Sequence, residues 1–527
     1  MKITRRKLLV GTGAAALAGC SAGDKSSASD GAPATDGPTT SSDTPDDPTG
    51  VDTVTSGGPT ADTASTTDTS ATAASGDTGV DSAETGDTGV GQPNILFIML
   101  DQVRPDTVYD FGAANPANLR ALMAKGTTYT RAYTPSPLCK PARASIQVGQ
   151  YVHEHGVNRS HAGSADPAAS YLHDIKAAGY RTALFGKAHL HSGETQHTDQ
   201  YTALIEAFGV DDAFELLGPG QAVQQDSPYT DFLDAMTPKG ETPKSERYRD
   251  YTRAYEYDSP PSDLPPTSIP TEEQLDYYLG VQAAEWLQKA PEPFCLQLSF
   301  PGPHPPFDAT SEYVDAIDLA HPSMQATAGD RVSGPSSANL DDAYNHFPAP
   351  REASLYQAAV AAYLAKLHLV DDAIGMVLDV LASRGIDSNT WIVVCGDHGE
   401  QMGDQGLMAK KVFFEGAIKV PLIIVPPGGG KAEINDDQVN MVDIGHALQG
   451  MAGVHSDPWL PHHDEIISAW GDFVMLKTPD GKLVYDTNRG MSVEYYPDEN
   501  DESANMINQA PPGEVSALEA RLQKLVS

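Results

Sequence analysis

The sequence predicts an α/β fold: a doubly wound, mostly parallel sheet flanked by helices, followed by a smaller C-terminal α+β subdomain. Three observations predict it. Four runs, Asn94 to Leu100, Tyr180 to Phe185, Pro293 to Phe300 and Thr390 to Cys395, are near-continuously apolar, as in strands buried on both faces of a parallel sheet. Helical patterns fall between them, as in Tyr356 to Leu381 with its Ala/Leu/Val stripe. Near the C-terminus, Asp472 to Thr478 and Lys482 to Thr487 flank Pro479-Asp480-Gly481, a hairpin signal, and Val515, Leu518, Leu522 and Leu525 stripe a terminal helix.

The chain has 527 residues, more than one ordinary core holds, so one large domain with appendages is expected. Residues 1–20 look like a bacterial lipoprotein signal. Met1 to Lys7 is basic with paired Arg5 and Arg6, Leu8 to Gly19 is a short apolar run, and Cys20 closes it. That run is too short to span a bilayer, where about 20 residues are needed. The expectation is cleavage before Cys20, lipidation of its thiol and new amino terminus, and an exported protein tied to the cell envelope, with the twin-arginine pair as a candidate route. Residues 21–91 change to Ser, Thr, Asp, Gly, Ala and Pro with no aromatic residue, the composition of a disordered acidic tether. As a flexible coil it would reach about 45–50 Å. With the signal at +4 and the tether at −12, the remaining 436 residues hold −30 of the net −38. A field of that sign repels polyanions, which excludes a nucleic-acid-coating role.

The folded part is expected as a catalytic domain, 92–430, and a C-terminal subdomain, 431–527. Each apolar run ends in polar residues: Asp101-Gln102, Gly186-Lys187-Ala188-His189, Pro301-Gly302-Pro303-His304 and Gly396-Asp397-His398-Gly399. In open α/β sheets ligands bind beyond the carboxyl ends of the strands, so these four sets can converge on one cleft. Cysteines 20, 139, 295 and 395 are too few for a disulfide framework or a Cys-rich zinc site, and Cys295 and Cys395 read as small buried hydrophobes within strands. Cys139 differs. After a Pro-rich turn, Cys139-Lys140-Pro141-Ala142-Arg143 opens a short helical segment, which puts the cysteine at a helix N-terminus with Arg143 one turn on. Free N–H groups, the dipole and Arg143 together favour an anion there. Taken singly, these residues have plainer readings: Asp101 as a cap, His153 and His155 as bridges to loop backbone, Lys410-Lys411 as a solvated pair.

Taken jointly they resemble the formylglycine-dependent sulfatase family of the alkaline phosphatase superfamily. The resemblance rests on the C-x-P-x-R motif at Cys139, the segment Gly149 to Val157, the four strand-end sets in order, Gly406 to Lys410, Phe414-Glu415, Val420 to Ile424, and the acidic turn from Glu494 to Asn505. It implies an alkaline phosphatase-like fold and conversion of Cys139 by a separate formylglycine-generating enzyme to formylglycine, whose hydrate is the nucleophile. One divalent metal is then expected on Asp101, Gln102, Asp397, His398 and the Cys139-derived diol. Arg143, Lys187 and Lys410 match the family's clamp on the sulfate, His304 its donor at the leaving oxygen, and His189 the partner of the second diol hydroxyl. Calcium is the family default, whereas an amide at Gln102 and an imidazole at His398 soften the donor set towards manganese. Ile146, Val148, Ala188 and Lys419 depart from the commoner Leu, Thr, Trp and Arg.

The expected reaction is hydrolysis of sulfate monoesters, with sulfated carbohydrate as the favoured substrate. A phosphonate monoester or phosphodiester hydrolase of the same superfamily is the alternative, and an inactive glycan-binding surface lipoprotein a third. Residues 219–270 are polar and Pro-rich, and Tyr229, Tyr248, Tyr251, Tyr255 and Tyr257 could line a sugar-binding wall or belong to a solvated insertion.

Overall fold

The computed structural model describes residues 91–526 except 110–115, 161–162, 192–198, 217, 219–220, 225, 255–266, 268, 321–326, 499–500 and 512. The signal, nearly all of the tether, Tyr255 and Tyr257 lie outside the described residues.

Eight strands form the large sheet: β1 (Asn94–Asp101), β2 (Thr127–Tyr133), β3 (Arg181–Gly186), β4 (Asp212–Glu215), β5 (Phe294–Pro303), β6 (Thr390–Gly396), β7 (Lys419–Val425) and β8 (Glu433–Asn440). Their order is β4-β3-β5-β1-β6-β7-β2-β8, parallel throughout except for β7. The four apolar runs are therefore four adjacent strands, β3-β5-β1-β6, all pointing the same way. Helices cover both faces. Leu96, Ile98 and Leu100 of β1 enter a core with helices Leu275–Leu287 and Ala353–Arg384, while Ile95, Phe97 and Met99 enter the opposite core with helices Cys139–Val148 and Ile444–Met451. Each such side chain buried is worth about 1.5–3 kcal/mol. A charged residue is tolerated only where the layers end, and Asp101 closes the strand there.

A second, antiparallel sheet follows: β9 (Ile466–Trp470), β10 (Phe473–Thr478), β11 (Gly481–Asp486) and β12 (Met491–Tyr496), in the order β12-β11-β10-β9. Helix Glu514–Leu525 packs on it through Leu518 and Leu522. Thr478 faces Gly481 across the Pro479-Asp480 turn, with Gly481 at φ 130°. This sheet is anchored to the large one. Lys482, fully buried, donates to the Phe413 carbonyl at 3.0 Å and to Glu415 Oε1 at 3.1 Å, and contacts Glu502.

Two expectations need correction. The boundary at residue 431 lies too early: β8 pairs in parallel with β2, and helix Ile444–Met451 completes a core of the large sheet, so the small sheet starts at Ile466. Pro426 to Gly430 forms a turn, and β8 is a half-exposed edge strand whose acidic sequence imitates a loop. Nor do Tyr229 and Tyr248 line a wall. Tyr229 and Tyr248 are fully buried in the core, where Tyr229 donates to the Glu273 carbonyl at 2.7 Å. Among the described residues no helix is long and apolar enough to cross a membrane.

Candidate active site

The ends of β1 and β6 are knitted together by backbone bonds. Asp397 N–H donates to the Leu100 carbonyl at 3.0 Å and Val103 N–H to the His398 carbonyl at 2.9 Å, bringing Asp101 and Asp397-His398 side by side. Asp397 Oδ1 accepts from the Gln102 and His398 amides at 3.0 and 2.8 Å, and its Oδ2 from Arg143 Nε at 2.7 Å. His398 Nδ1 lies 2.9 Å from the Gly399 carbonyl, which can only accept, so Nδ1 carries a proton and Nε2 is the nitrogen left to serve as a ligand. Nε2 is 3.7 Å from Asp101 Oδ1 and 3.8 Å from Asp397 Oδ1. Among the described residues, neither Nε2 nor Asp101 Oδ1 has a hydrogen-bond partner, although both are buried.

One ligand atom each from Asp101, Asp397 and His398 falls within 4.8 Å of the others. Two hard oxygens and an imidazole around buried, unpartnered atoms fit a divalent cation, since leaving such atoms unmatched costs about 1–3 kcal/mol each. Gln102 is buried beside them, but its amide is committed: Oε1 accepts from Lys410 Nζ at 2.5 Å and Nε2 donates to Glu400. An ammonium only donates and a carboxylate only accepts, so this amide orientation follows from chemistry.

Cys139 opens helix Cys139–Val148, with extended Leu138 as its N-cap and Gly149, left-handed at φ 65°, ending it. The thiol is buried, which pushes its pKa up, but Lys187, His189 and Lys410 outweigh burial and hold it well below the usual thiol range. An anionic oxygen at this position would meet the same three groups. Arg143 is fully used on two sides: Nε on Asp397, and Nη1 on the Lys187 carbonyl and Ser299 Oγ, the latter at 2.6 Å. Nη2 is 3.5 Å from Asp101 and has no hydrogen-bond partner among the described residues, so only this corner remains for a further anion.

Lys187 follows β3, donates its amide to the Ser299 carbonyl at 2.9 Å and pairs through Nζ with Asp101. Burial opposes its charge, and Asp101 and Cys139 more than restore it, raising Lys187 above the ordinary lysine range. The converse holds for Asp101: burial pushes the carboxyl up, and Lys187, His304, Arg143 and Lys410 hold it well below the carboxylate range. His189 hydrogen-bonds Cys139 and is pushed down by burial. His304, buried just past β5, lies with Nδ1 2.8 Å from the Pro305 carbonyl; burial first, then Lys410, push it down. All ten expected residues thus lie at the carboxyl ends of the central strands or in the segments joined to them.

Sequence reasoning missed their supports. Glu400, fully buried, accepts from Gln102 Nε2 and from the amides of Met402 at 2.9 Å and Ala409 at 2.5 Å, tying Gln102 to the Lys410 loop. Ser299 holds Arg143, and Glu215 at the end of β4 accepts the Ala188 amide at 2.9 Å. Thr134 Oγ1 donates to the Asp397 carbonyl at 2.6 Å. Gln102, His189 and Ala409 also take positive φ of 64°, 54° and 62° without being glycine, a strain of about 1–3 kcal/mol each that the surroundings must enforce.

Residues 93–454 match the family model described as Sulfatase. A choline-sulfatase of Rhizobium meliloti (strain 1021) is 30% identical over 382 residues, 70% of this chain and 70% of that protein. An ulvan-active sulfatase of Formosa agariphila is 25% identical over 376 residues, 69% of this chain and 62% of that protein. The structure of a phosphonate monoester hydrolase from Silicibacter pomeroyi superposes with a TM-score of 0.65 at 20% identity, covering 82% of this chain and 94% of that one, a likeness of fold.

Proposed function

The chain belongs to the sulfatase family and is a sulfuric ester hydrolase, and we propose that it cleaves sulfate monoesters with a nucleophile made from Cys139 beside one divalent cation. The observation that carries this reading is the convergence of the unpartnered Asp101 Oδ1 and His398 Nε2 next to a helix-opening cysteine ringed by Lys187, His189 and Lys410. Asp101, Asp397 and His398 would hold the cation, with Gln102 joining if its oxygen is shared with Lys410, and hydrated formylglycine at 139 would supply the attacking hydroxyl. Bound there, calcium or manganese would act as a Lewis acid and favour the deprotonated form of that hydroxyl.

The protein's own groups do the rest. Lys187, Lys410 and Nη2 of Arg143 gather the negative charge on the sulfuryl oxygens, which grows on the bridging oxygen as the S–O bond breaks. Proton delivery to the departing alcohol falls to Nε2 of His304, because Nδ1 is committed to Pro305. His189, bonded at the position of Cys139, takes the proton from the second hydroxyl. Burial holds both histidines below their ordinary pKa: His189 is ready to accept a proton, whereas His304, whose Nδ1 proton stays on the Pro305 carbonyl, must take up a second proton at Nε2 beside the anionic ester before it can give one to the alcohol.

We take the alcohol to be a carbohydrate, supported by the likeness to the ulvan-active sulfatase and by the exported, lipid-anchored character read from residues 1–20. Choline sulfate is the second reading, favoured by the 30% identity to a choline-sulfatase. A formylglycine-generating enzyme is the implied partner, and lipidated Cys20 the implied membrane attachment. The test is kcat/KM over sulfated sugars, choline sulfate, aryl sulfates and phosphonate monoesters. Sulfated sugars are expected to lead; preference for phosphonates would replace the sulfatase reading with the hydrolase that shares this fold.

A further inference from the structure

Helix Ala353–Arg384 carries none of the site residues, yet two of its buried side chains reach both halves of the site. Tyr363 donates its hydroxyl to the Gln102 carbonyl at 3.0 Å, and its ring meets Phe307 edge-on at 5.4 Å. Lys366, three residues on and fully buried, sets its ammonium 2.8 Å from Asp276 Oδ2 and 2.6 Å from Asp308 Oδ1. Asp276, on helix Leu275–Leu287, uses its other oxygen to accept the Gly302 amide at 2.8 Å.

Gly302 and Asp308 stand on either side of His304, two residues before it and four after. The segment bearing His304 is therefore held at both ends by one buried ammonium and its two carboxylates. The fit at Gly302 is close: a Cβ there would lie 2.7 Å from Val370 Cγ2 and 3.0 Å from Asp276 Oδ2. Burial opposes the charge on Lys366, and Asp276 and Asp308 together raise it above the ordinary lysine range. Three buried charges are a poor way to gain stability, because well-packed apolar residues of equal volume often do as well or better. What they supply is direction, as each carboxylate oxygen fixes the distance of one backbone segment from one ammonium.

We propose that Asp276, Lys366 and Asp308 form a positioning triad that sets where His304 delivers its proton. The inference rests on the reading of His304 as the donor to the leaving alcohol. A triad of this kind should matter most when the leaving alkoxide is a poor one and needs that proton, and little when it departs unaided.

Lys366→Met would strand two buried carboxylates, which is enough to threaten folding. Asp308→Asn keeps the Lys366–Asp276 pair, and Gly302→Ala displaces the segment, pressing on Val370 and Asp276, without removing a charge. Both are compared with His304→Asn on alkyl sulfates and on 4-nitrophenyl sulfate, with bound metal per chain measured alongside. The expected result is an about 10- to 100-fold loss of kcat on alkyl sulfates and less than about 3-fold on the aryl ester, with metal content unchanged. Asp308→Asn should add nothing further in the His304→Asn background. Equal losses on both ester classes, loss of metal, or full additivity with His304→Asn would overturn the triad while leaving the donor reading in place. A His304→Asn profile that ignores the leaving group removes the donor reading, and this proposal with it.

Discussion

Asp101 Oδ1 and His398 Nε2 face each other across 3.7 Å, both buried and both without a hydrogen-bond partner among the described residues. Two acceptors this close repel unless something positive lies between them.

The first prediction concerns that cation. Adding calcium or manganese to chelated protein should raise the melting temperature and restore activity together. At 100 times its Kd a ligand binding only the folded state adds about 2.7 kcal/mol. Asp101→Asn should lose both responses. A thermal scan of chelated protein that is indifferent to either ion would count against the site.

Cys139→Ala should lower kcat at least about 10³-fold, the scale of losing a nucleophile, while the melting temperature changes little. Peptide mass spectrometry of active parent protein should find the aldehyde at 139. A free thiol in fully active protein would end the mechanism.

Glu400→Gln places an NH2 group where three donors, the Gln102 side chain and the Met402 and Ala409 amides, now converge. One of them must face another donor, a loss of about 1–3 kcal/mol in stability. Because Glu400 orients Gln102, metal affinity should also fall about 10- to 100-fold, the range for groups that position ligands. Titration calorimetry with manganese reads the second effect separately from the first.

His155 should make the protein acid-sensitive. Its Nδ1 accepts the Val157 amide at 3.0 Å, so its other nitrogen donates to Ser145 Oγ at 2.8 Å, and burial pushes its pKa down to about 4. The unfolded chain, near 6.5, then binds more protons than the folded one between pH 6.5 and 4, and stability falls as the pH falls through that window. His155→Gln should melt lower at pH 7 by about 1 kcal/mol and show a shallower decline. Parallel pH profiles for the two proteins would contradict this.

Cys20→Ala should move activity from the membrane fraction to the soluble one. Retention equal to the parent would show that the segment 1–20 does not anchor the chain.

The fold was largely legible because a parallel strand advertises itself twice, by an unbroken apolar run and by the polar residues at which the run stops. Asp101, Lys187, His304 and Asp397 all announced themselves in this way. Glu400 and Ser299 did not: a carboxylate after a glycine and a serine inside a strand look ordinary, and their importance comes only from the Gln102 amide and the Arg143 guanidinium brought to them by folding. The left-handed backbone at Gln102, His189 and Ala409 had no glycine to signal it. Tyr229 and Tyr248 misled for a related reason, since a polar segment can still spend its aromatic residues on the core beneath it.

Lys482 has a consequence for how this protein can be recombined. It comes from β11, yet its ammonium is spent on Phe413, Glu415 and Glu502, three to five residues beyond Lys410 in the first two cases. Glu415 in turn accepts the hydroxyl of Tyr133, at the end of β2. A chimaera that exchanged the last sixty residues with those of a relative would bring its own residue to position 482, and anything but a cation of the same reach would leave the Phe413 carbonyl and Glu415 Oε1 without the ammonium they now share. Swaps at this end of the chain should succeed only when position 482 travels with a matching 413–415 segment, so crossover points belong before Leu407 and not in the convenient turn after Leu460.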